Sequence, residues 1–224
     1  MPKSKRAKKV SLTRTIGKGR ARKESILDEV RECADRYSYC YAFAADNMRN
    51  TGLQGVRSRL RGSRIFFGRT KLLSAALGRT PAEEHRDELS QVAANLSGGE
   101  AGLLFTDVAE AEVRRVLEAS QVREYARAGS LATEDVELPE GPLHKFPHNM
   151  EPYLRKLGLP TRLDNGVVTL LAPHTVCEEG ATLDGEQAKL LQLLDVKMAL
   201  FKLSLKCRWE APGTFTQYEL DDAE

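Results

Sequence analysis

The sequence lacks the features that identify several large classes of protein. Its four cysteines, at positions 33, 40, 177 and 207, have neither the paired spacing of a zinc site nor that of a disulfide framework. This scatter favours reduced, mostly buried thiols of an intracellular protein. No run approaches about 18 uncharged apolar residues, and no apolar segment follows the N-terminus. The sequence therefore predicts neither a membrane span nor secretion.

Motifs for catalysis and cofactor binding are also missing. No Gly-x-Ser-x-Gly is present, and Gly68-Arg-Thr-Lys71 lacks the first glycine of a Walker loop. His144 and His148 have a spacing used by zinc ligands, but no Cys-x2-Cys accompanies them. Aromatic residues are only 6% of the chain, which is few for an exposed base-stacking sheet. We therefore predict no enzyme activity, no cofactor and no metal.

Acidic residues are absent from the N-terminus, so the net charge of +2 hides a strong asymmetry. Residues 1–23 carry ten of the 34 basic residues and none of the 32 acidic ones. A basic arm on a mildly acidic body is typical of nucleic-acid binders, and so polar an arm is expected to be disordered until a partner orders it. The run at 3–9 also fits a nuclear localisation signal. The candidate RNA contacts in the arm are Lys5, Arg6, Lys8, Lys9, Lys18 and Arg20.

The stretch 47–71 holds seven basic side chains and no carboxylate. Leu53, Val56 and Leu60 recur with helical period, Gly62 is expected to end that helix, and residues 64–67 follow as a short strand. Asp46-Asn47 is expected to cap the helix. Uncompensated arginines on ordered elements point to a polyanion, although a solvated basic face is the alternative.

A phosphate would suit the end of this stretch. Gly68-Arg-Thr-Lys71 leads from the strand into an apolar helix, where free backbone N–H groups, the helix dipole and cations coincide. Arg57 and Arg61 lie on one edge of the apolar stripe, so they either contact RNA or cover the stripe with their stems. The candidate contacts in the stretch are Asn47, Arg49, Arg57, Arg61, Arg64, Gly68, Arg69, Thr70 and Lys71.

The remaining pattern predicts an α/β (α+β) fold, in which a small sheet covered by helices carries a smaller inserted α+β domain. Helices are expected from Thr80 and from Asp107, a hairpin at Asp164-Asn-Gly166 and a capping box at Asp184. The predicted domains are the arm 1–23, a first domain 24–120, an insertion 121–183, a return of the first domain at 184–210 and a tail 211–224.

Several segments resemble the RNA-binding domain of the ribosomal stalk-base protein family, and the likeness covers about residues 20–210. Within that family the lysine-rich start and the segments 30–35 and 146–156 resemble the ribosome-assembly paralogues more than the mature stalk protein. Arg69 departs from the lysine that usually follows the glycine. The segments are 45–47, 60–62, 68–71, 102–106, 126–129, 157–160 and 166–170.

The resemblance implies a placeholder that binds large-subunit pre-ribosomal RNA at the stalk-base (GTPase-associated) site and is later replaced by the stalk protein. It also implies residence in nucleolus and nucleus, shuttling to the cytoplasm on pre-ribosomal particles. Expected partners are the pre-rRNA, a neighbouring ribosomal protein at the stalk base and other assembly factors, with no membrane or small-molecule substrate. The insertion is expected to serve protein contacts. The alternatives are a stalk-base-like component of mature ribosomes and a general RNA-binding or mRNA-turnover factor.

Overall fold

The computed structural model describes residues 20–97 and 99–218. They form two compact units. Unit 1 comprises residues 20–42, 64–107 and 206–218, and unit 2 comprises residues 43–63 and 108–205. In chain order the elements are α1 (Arg20–Arg36), β1 (Tyr39–Asp46), α2 (Asn50–Arg59), β2 (Arg64–Phe67), α3 (Thr70–Leu77), α4 (Leu89–Ala94), β3 (Ala101–Thr106), α5 (Glu110–Glu118), β4 (Val122–Glu124), β5 (Val136–Leu138), β6 (Gly141–Pro142), α6 (Glu151–Lys156), β7 (Thr161–Asp164), β8 (Val167–Leu170), β9 (His174–Cys177), α7 (Gly185–Leu194), β10 (Ala199–Glu210) and β11 (Thr214–Gln217).

Unit 1 is built on a sheet with the strand order β11-β10-β1-β3-β2. Every residue of β3 is buried, as expected for a central strand covered on both faces. Phe66 and Phe105 meet edge to face, 5.9 Å apart, in a core that also buries Leu77 of α3. The fully buried Trp209 donates its indole N–H to the carbonyl of Asp87 at 2.8 Å. Helices α1 and α3 pack together beside this sheet.

Unit 2 contains α2, α5 and a second hydrophobic core in the region of the predicted insertion. Strand β7 pairs with β8 through a two-residue turn, in which Asn165 and Gly166 have φ of 48° and 85°. Positive φ at both positions is the requirement of a type I′ hairpin, and Asn-Gly meets it best. The predicted hairpin is confirmed, and so is the capping box of Asp184 with Gln187 at the start of α7.

The helix predicted from Thr80 is wrong, because residues 80–88 form turns and α4 begins only at Leu89. The amide of His85 donates to the carbonyl of Leu77 at 2.9 Å, which folds the segment back onto the end of α3. That long-range bond removes a donor that a helix from Thr80 would need. Likewise the helix expected from Asp107 begins at Glu110, since the Asp107 carboxylate accepts the amide of Ser38 at 2.8 Å.

Both ends of the described chain also differ from the sequence-based expectation. Helix α1 begins at Arg20, so residues 20–23 form its first turn instead of belonging to a disordered arm. No strand was predicted after residue 210, yet β11 pairs antiparallel with β10, with Trp209 opposite Phe215. The edge strand β11 is short and polar, and its pattern carries little signal for a strand by itself.

The predicted fold class, a mixed α/β protein with an inserted domain, is confirmed. The domain boundaries stay a prediction. The structure buries Leu190 and Leu191 of α7 in one cluster with Val168, Leu170 and Leu183, residues of the region predicted as the insertion. In that packing α7 contributes to the core of the insertion.

The cysteines are free, and three of the four are buried. Burial raises the pKa of Cys207 to about 11, and it raises the pKa of Cys40 as well, with neighbouring thiols adding to the effect. These thiols stay neutral at physiological pH and act as small apolar side chains. No helix of the described residues is long and apolar enough to cross a membrane.

Candidate nucleic-acid interface

A shallow basic depression of about 520 Å³ lies in unit 1 at the start of α3. Arg69, Thr70 and Lys71 line one side of it, Arg79 another, and Lys23 of α1 completes the rim. No carboxylate of the described residues lines it, so four cations face the same volume without an acidic neighbour in the wall. An adjacent depression of about 300 Å³ shares Thr70, Lys71 and Arg79. We name this pair of depressions the α3 site.

The backbone of the α3 site follows from Gly68 and Arg69. Gly68 has a φ of +110°, a conformation open to glycine, and lets the chain turn sharply from β2 into α3. The amides of Leu72 and Leu73 both donate to the carbonyl of Arg69, at 2.8 and 3.3 Å. Among the described residues, the amides of Thr70 and Lys71 have no acceptor. Free N–H groups at a helix N-terminus attract an anion.

Arg79 reaches the α3 site because the chain turns at Gly78. This glycine has a φ of +102°, and a Cβ there would stand 2.3 Å from the Cα of Glu84. No other residue fits such a position without moving the backbone. The guanidinium of Arg79 then lies 3.4 Å from the carbonyl of Lys71, beside the first turn of α3.

The side chains of Arg69 and Lys71 are exposed and have no hydrogen-bond or ion-pair partner among the described residues. Their charges are therefore not offset by the part of the chain that the structure describes. Cations next to free amides form a site for an oxyanion such as a backbone phosphate.

Arg64 is less available than the sequence suggested. It forms an ion pair with Glu29 of α1 at 2.8 Å, and its guanidinium lies 5.3 Å from the ring centre of Phe66. The prediction that the arginines of this stretch are uncompensated is thus wrong for Arg64, since Glu29 lies outside the stretch in sequence. The pair is exposed, so it contributes at most about 1 kcal/mol and does not prevent binding of a phosphate.

In unit 2, Asn47 and Arg49 hold the backbone in place. Asn47 has a φ of 49° and donates its side-chain amide to the carbonyl of Leu200 at 3.0 Å, so the expected helix cap is wrong. Arg49 itself occupies the N-cap position of α2 and makes no capping bond through its side chain. Its guanidinium instead donates to the carbonyl of Tyr125. Both side chains therefore have a structural role.

The predicted apolar stripe of α2 is confirmed, since Leu53, Val56 and Leu60 are all buried. Arg57 and Arg61 are exposed. Arg61 has no partner among the described residues, whereas Arg57 takes part in a contact within the chain. Arg59 points elsewhere, donating to the carbonyl of Ala119 at 2.6 Å, where a cation suits the C-terminus of α5.

Comparison with known proteins places the chain in a family. The family description "Ribosomal protein L10" matches residues 18–122, and the description of the insertion domain found in the 60S ribosomal member of the same family matches residues 126–196. The ribosome assembly factor mrt4 of Neurospora crassa is 40% identical over 98% of this chain and 94% of its own length. Those of Schizosaccharomyces pombe and Dictyostelium discoideum are 38% and 34% identical, covering 97% and 100% of the chain and 95% and 100% of their own lengths. The chain belongs to the Mrt4 family of L10-like proteins.

The resemblance seen in the sequence motifs is therefore confirmed. Of the residues predicted to bind RNA in this Mrt4-family chain, unit 1 brings together Gly68, Arg69, Thr70 and Lys71, and unit 2 carries Asn47, Arg49, Arg57 and Arg61. Arg20 is the first residue of α1. The predicted arm contacts Lys5, Arg6, Lys8, Lys9 and Lys18 lie outside the described residues.

Two cations of the α3 site were missed by sequence reasoning. The sequence pattern assigns Lys23 only to the basic arm, and the helical phase of α1 is what turns it toward α3. Arg79 follows Gly78, which the pattern marks as the end of a helix. A cation directly after a C-terminal glycine is a candidate neighbour of that helix, but the direction of the turn after Gly78 depends on the contact with Glu84.

Proposed function

We propose that this protein acts in ribosome assembly by binding large-subunit pre-rRNA at the stalk-base site, as a placeholder that the mature stalk protein later replaces. The observation that supports this most strongly is the match, over nearly the whole chain, to proteins named ribosome assembly factor mrt4. The match to the L10 description supports a site shared with the stalk protein.

The α3 site supplies the chemistry that this proposal needs. Lys23, Arg69, Lys71 and Arg79 surround the free amides of an N-terminal helix turn, which suits the phosphates of a folded RNA junction. Exposed Arg57 and Arg61 of α2 and the N-terminal basic residues add further phosphate contacts. The protein acts by binding, without turnover, and it carries out no enzymatic reaction.

The partners follow from the same proposal. They are large-subunit pre-rRNA, the ribosomal protein next to it at the stalk base and other assembly factors of the pre-ribosomal particle. The protein resides in nucleolus and nucleus and reaches the cytoplasm on the particle.

Binding to the stalk-base rRNA fragment tests the proposal. The full chain is titrated with the fragment at several salt concentrations, with the mature stalk protein as competitor and an unrelated RNA of equal length as control. We expect saturable binding, displacement by the competitor and a decrease in log affinity of about 0.7–0.9 per phosphate contact for each log unit of salt. Equal affinity for the unrelated RNA would contradict the assignment. Location on polysomes instead of pre-ribosomal particles would favour a component of mature ribosomes.

A further inference from the structure

A second basic cleft lies in unit 2, close to the start of the segment that matches the insertion domain. It has a volume of about 300 Å³ and is lined by three cationic side chains, Arg49, Arg127 and Lys189, with Glu124 as the carboxylate in its wall. The rest of the lining is largely small. It includes Ala126, Ala128, Gly185 and Ala188. We name it the junction cleft.

Two reciprocal hydrogen bonds hold the arginines at the junction cleft. Arg49, which precedes α2, donates to the carbonyl of Tyr125, and Arg127 donates to the carbonyl of Met48 at 3.1 Å. The segment before α2 and the start of the insertion are thereby fixed to each other within unit 2. Each guanidinium has several N–H donors and uses one terminal nitrogen in these bonds.

Donor capacity remains in the cleft. The Nε atom of Arg49 is buried and has no acceptor among the described residues. A buried donor of this kind normally has a partner, because leaving it unmade is costly. Lys189 contacts the neighbouring Gln192 at 2.9 Å, an exposed bond that a stronger acceptor can replace. Three cations against one carboxylate leave the cleft positive.

We propose that the junction cleft binds a backbone phosphate of the RNA, as a contact separate from the α3 site. This inference rests on the proposed function and extends it to the insertion, for which the sequence suggested protein contacts alone. The small wall residues leave room for a phosphate and its ribose, while Arg127 and Lys189 supply charge that no motif in the sequence announced.

The test compares two double variants of the full chain on the stalk-base rRNA fragment. Arg127→Ala with Lys189→Ala removes two charges from the junction cleft. Lys156→Ala with Arg162→Ala removes two charges from α6 and β7 of the same unit, outside the cleft lining. We expect the first variant to bind about 10-fold more weakly, with a salt slope lower by about 0.7–0.9 for each phosphate interaction removed. Equal effects of the two variants would overturn the inference.

Because Arg127 also bonds to Met48, its loss could act through the backbone. Lys189→Glu avoids this ambiguity, since Lys189 is bonded only to a nearby side chain on its own helix. A photo-crosslinking residue at the exposed position 128, with position 156 as control, provides a direct readout. We expect a crosslink to RNA from position 128 alone, and absence of that crosslink contradicts the inference.

Failure of the inference is distinguishable from failure of the proposed function. If Arg69→Ala with Lys71→Ala weakens binding while the cleft variants match their control, only the inference fails. If the wild-type chain shows no preference for the stalk-base fragment, both fail. If RNA affinity is unchanged but the Lys189→Glu protein is lost from purified pre-ribosomal particles, the cleft binds a protein and the RNA assignment is overturned.

Discussion

The two basic regions of the molecule differ in how their cations are used. At the α3 site of unit 1, Arg69 and Lys71 make no side-chain bond to the described residues. In unit 2, Arg49, Arg59 and Arg127 each donate to a backbone carbonyl. An arginine that satisfies a carbonyl stabilises the fold, while an unengaged cation has ligand binding as its clearest use. Basic density alone therefore does not identify the interface.

The largest expected effect concerns the turn that positions Arg79. Gly78→Ala places a Cβ 2.3 Å from the Cα of Glu84, at a φ of +102°. We expect a loss of about 3 kcal/mol in the free energy of unfolding, because both backbone segments must move. Denaturant unfolding measures it. Gly62→Ala, with a φ of +90° and open space around it, is the control, with an expected loss of about 1 kcal/mol. Similar losses for both would show that the close approach does not matter.

The corresponding contact in unit 2 is at Gly52, which lies against the buried ring of Phe201. A Cβ at position 52 would stand 2.5 Å from that ring, so Gly52→Ala is expected to cost about 2 kcal/mol by overpacking. Gly55 lies in the same helix with nothing within 4 Å, and Gly55→Ala is expected to stabilise the protein by about 0.5–1 kcal/mol. Thermal unfolding of the two variants, compared with wild type, decides. A stabilised Gly52→Ala would contradict the packing.

The α3 site is next. Arg69→Ala with Lys71→Ala removes two exposed cations that no described residue pairs with, so we expect RNA affinity to fall about 10-fold, or about 1.4 kcal/mol. The melting temperature should stay within the error of the wild-type value. Fluorescence anisotropy with the stalk-base fragment measures the affinity. If binding and melting are both unchanged, these residues do not belong to the interface.

The smallest effect distinguishes a structural arginine from an exposed one in unit 2. Arg49→Ala removes the bond to Tyr125 and is expected to lower the free energy of unfolding by about 1 kcal/mol. Arg61→Ala removes an exposed side chain and should leave stability unchanged while weakening RNA binding by a few-fold. Equal stability of the two variants would mean that the bond of Arg49 to Tyr125 does not stabilise the fold.

Local chemistry explains what could be predicted. The stripe Leu53, Val56 and Leu60, the hairpin at Asn165-Gly166 and the capping box at Asp184 depend on residues close in sequence, and each was predicted correctly. The helix expected from Thr80 failed because its signals were overridden by the bond from His85 to Leu77. Strand β11 was missed because its pairing with β10, through Trp209 and Phe215, and not its composition, makes it a strand.

The sequence by itself determined the family, the mixed α/β class and the concentration of positive charge at residues 47–71. These depend on composition, periodicity and short motifs, which are local. Only the tertiary structure decided which cations are available, because their partners are remote in sequence. Glu29 pairs with Arg64, the carbonyl of Tyr125 accepts from Arg49, and the turn at Gly78 brings Arg79 beside Lys71. A side chain's charge is written in the sequence, but the acceptor that satisfies it is chosen by the fold.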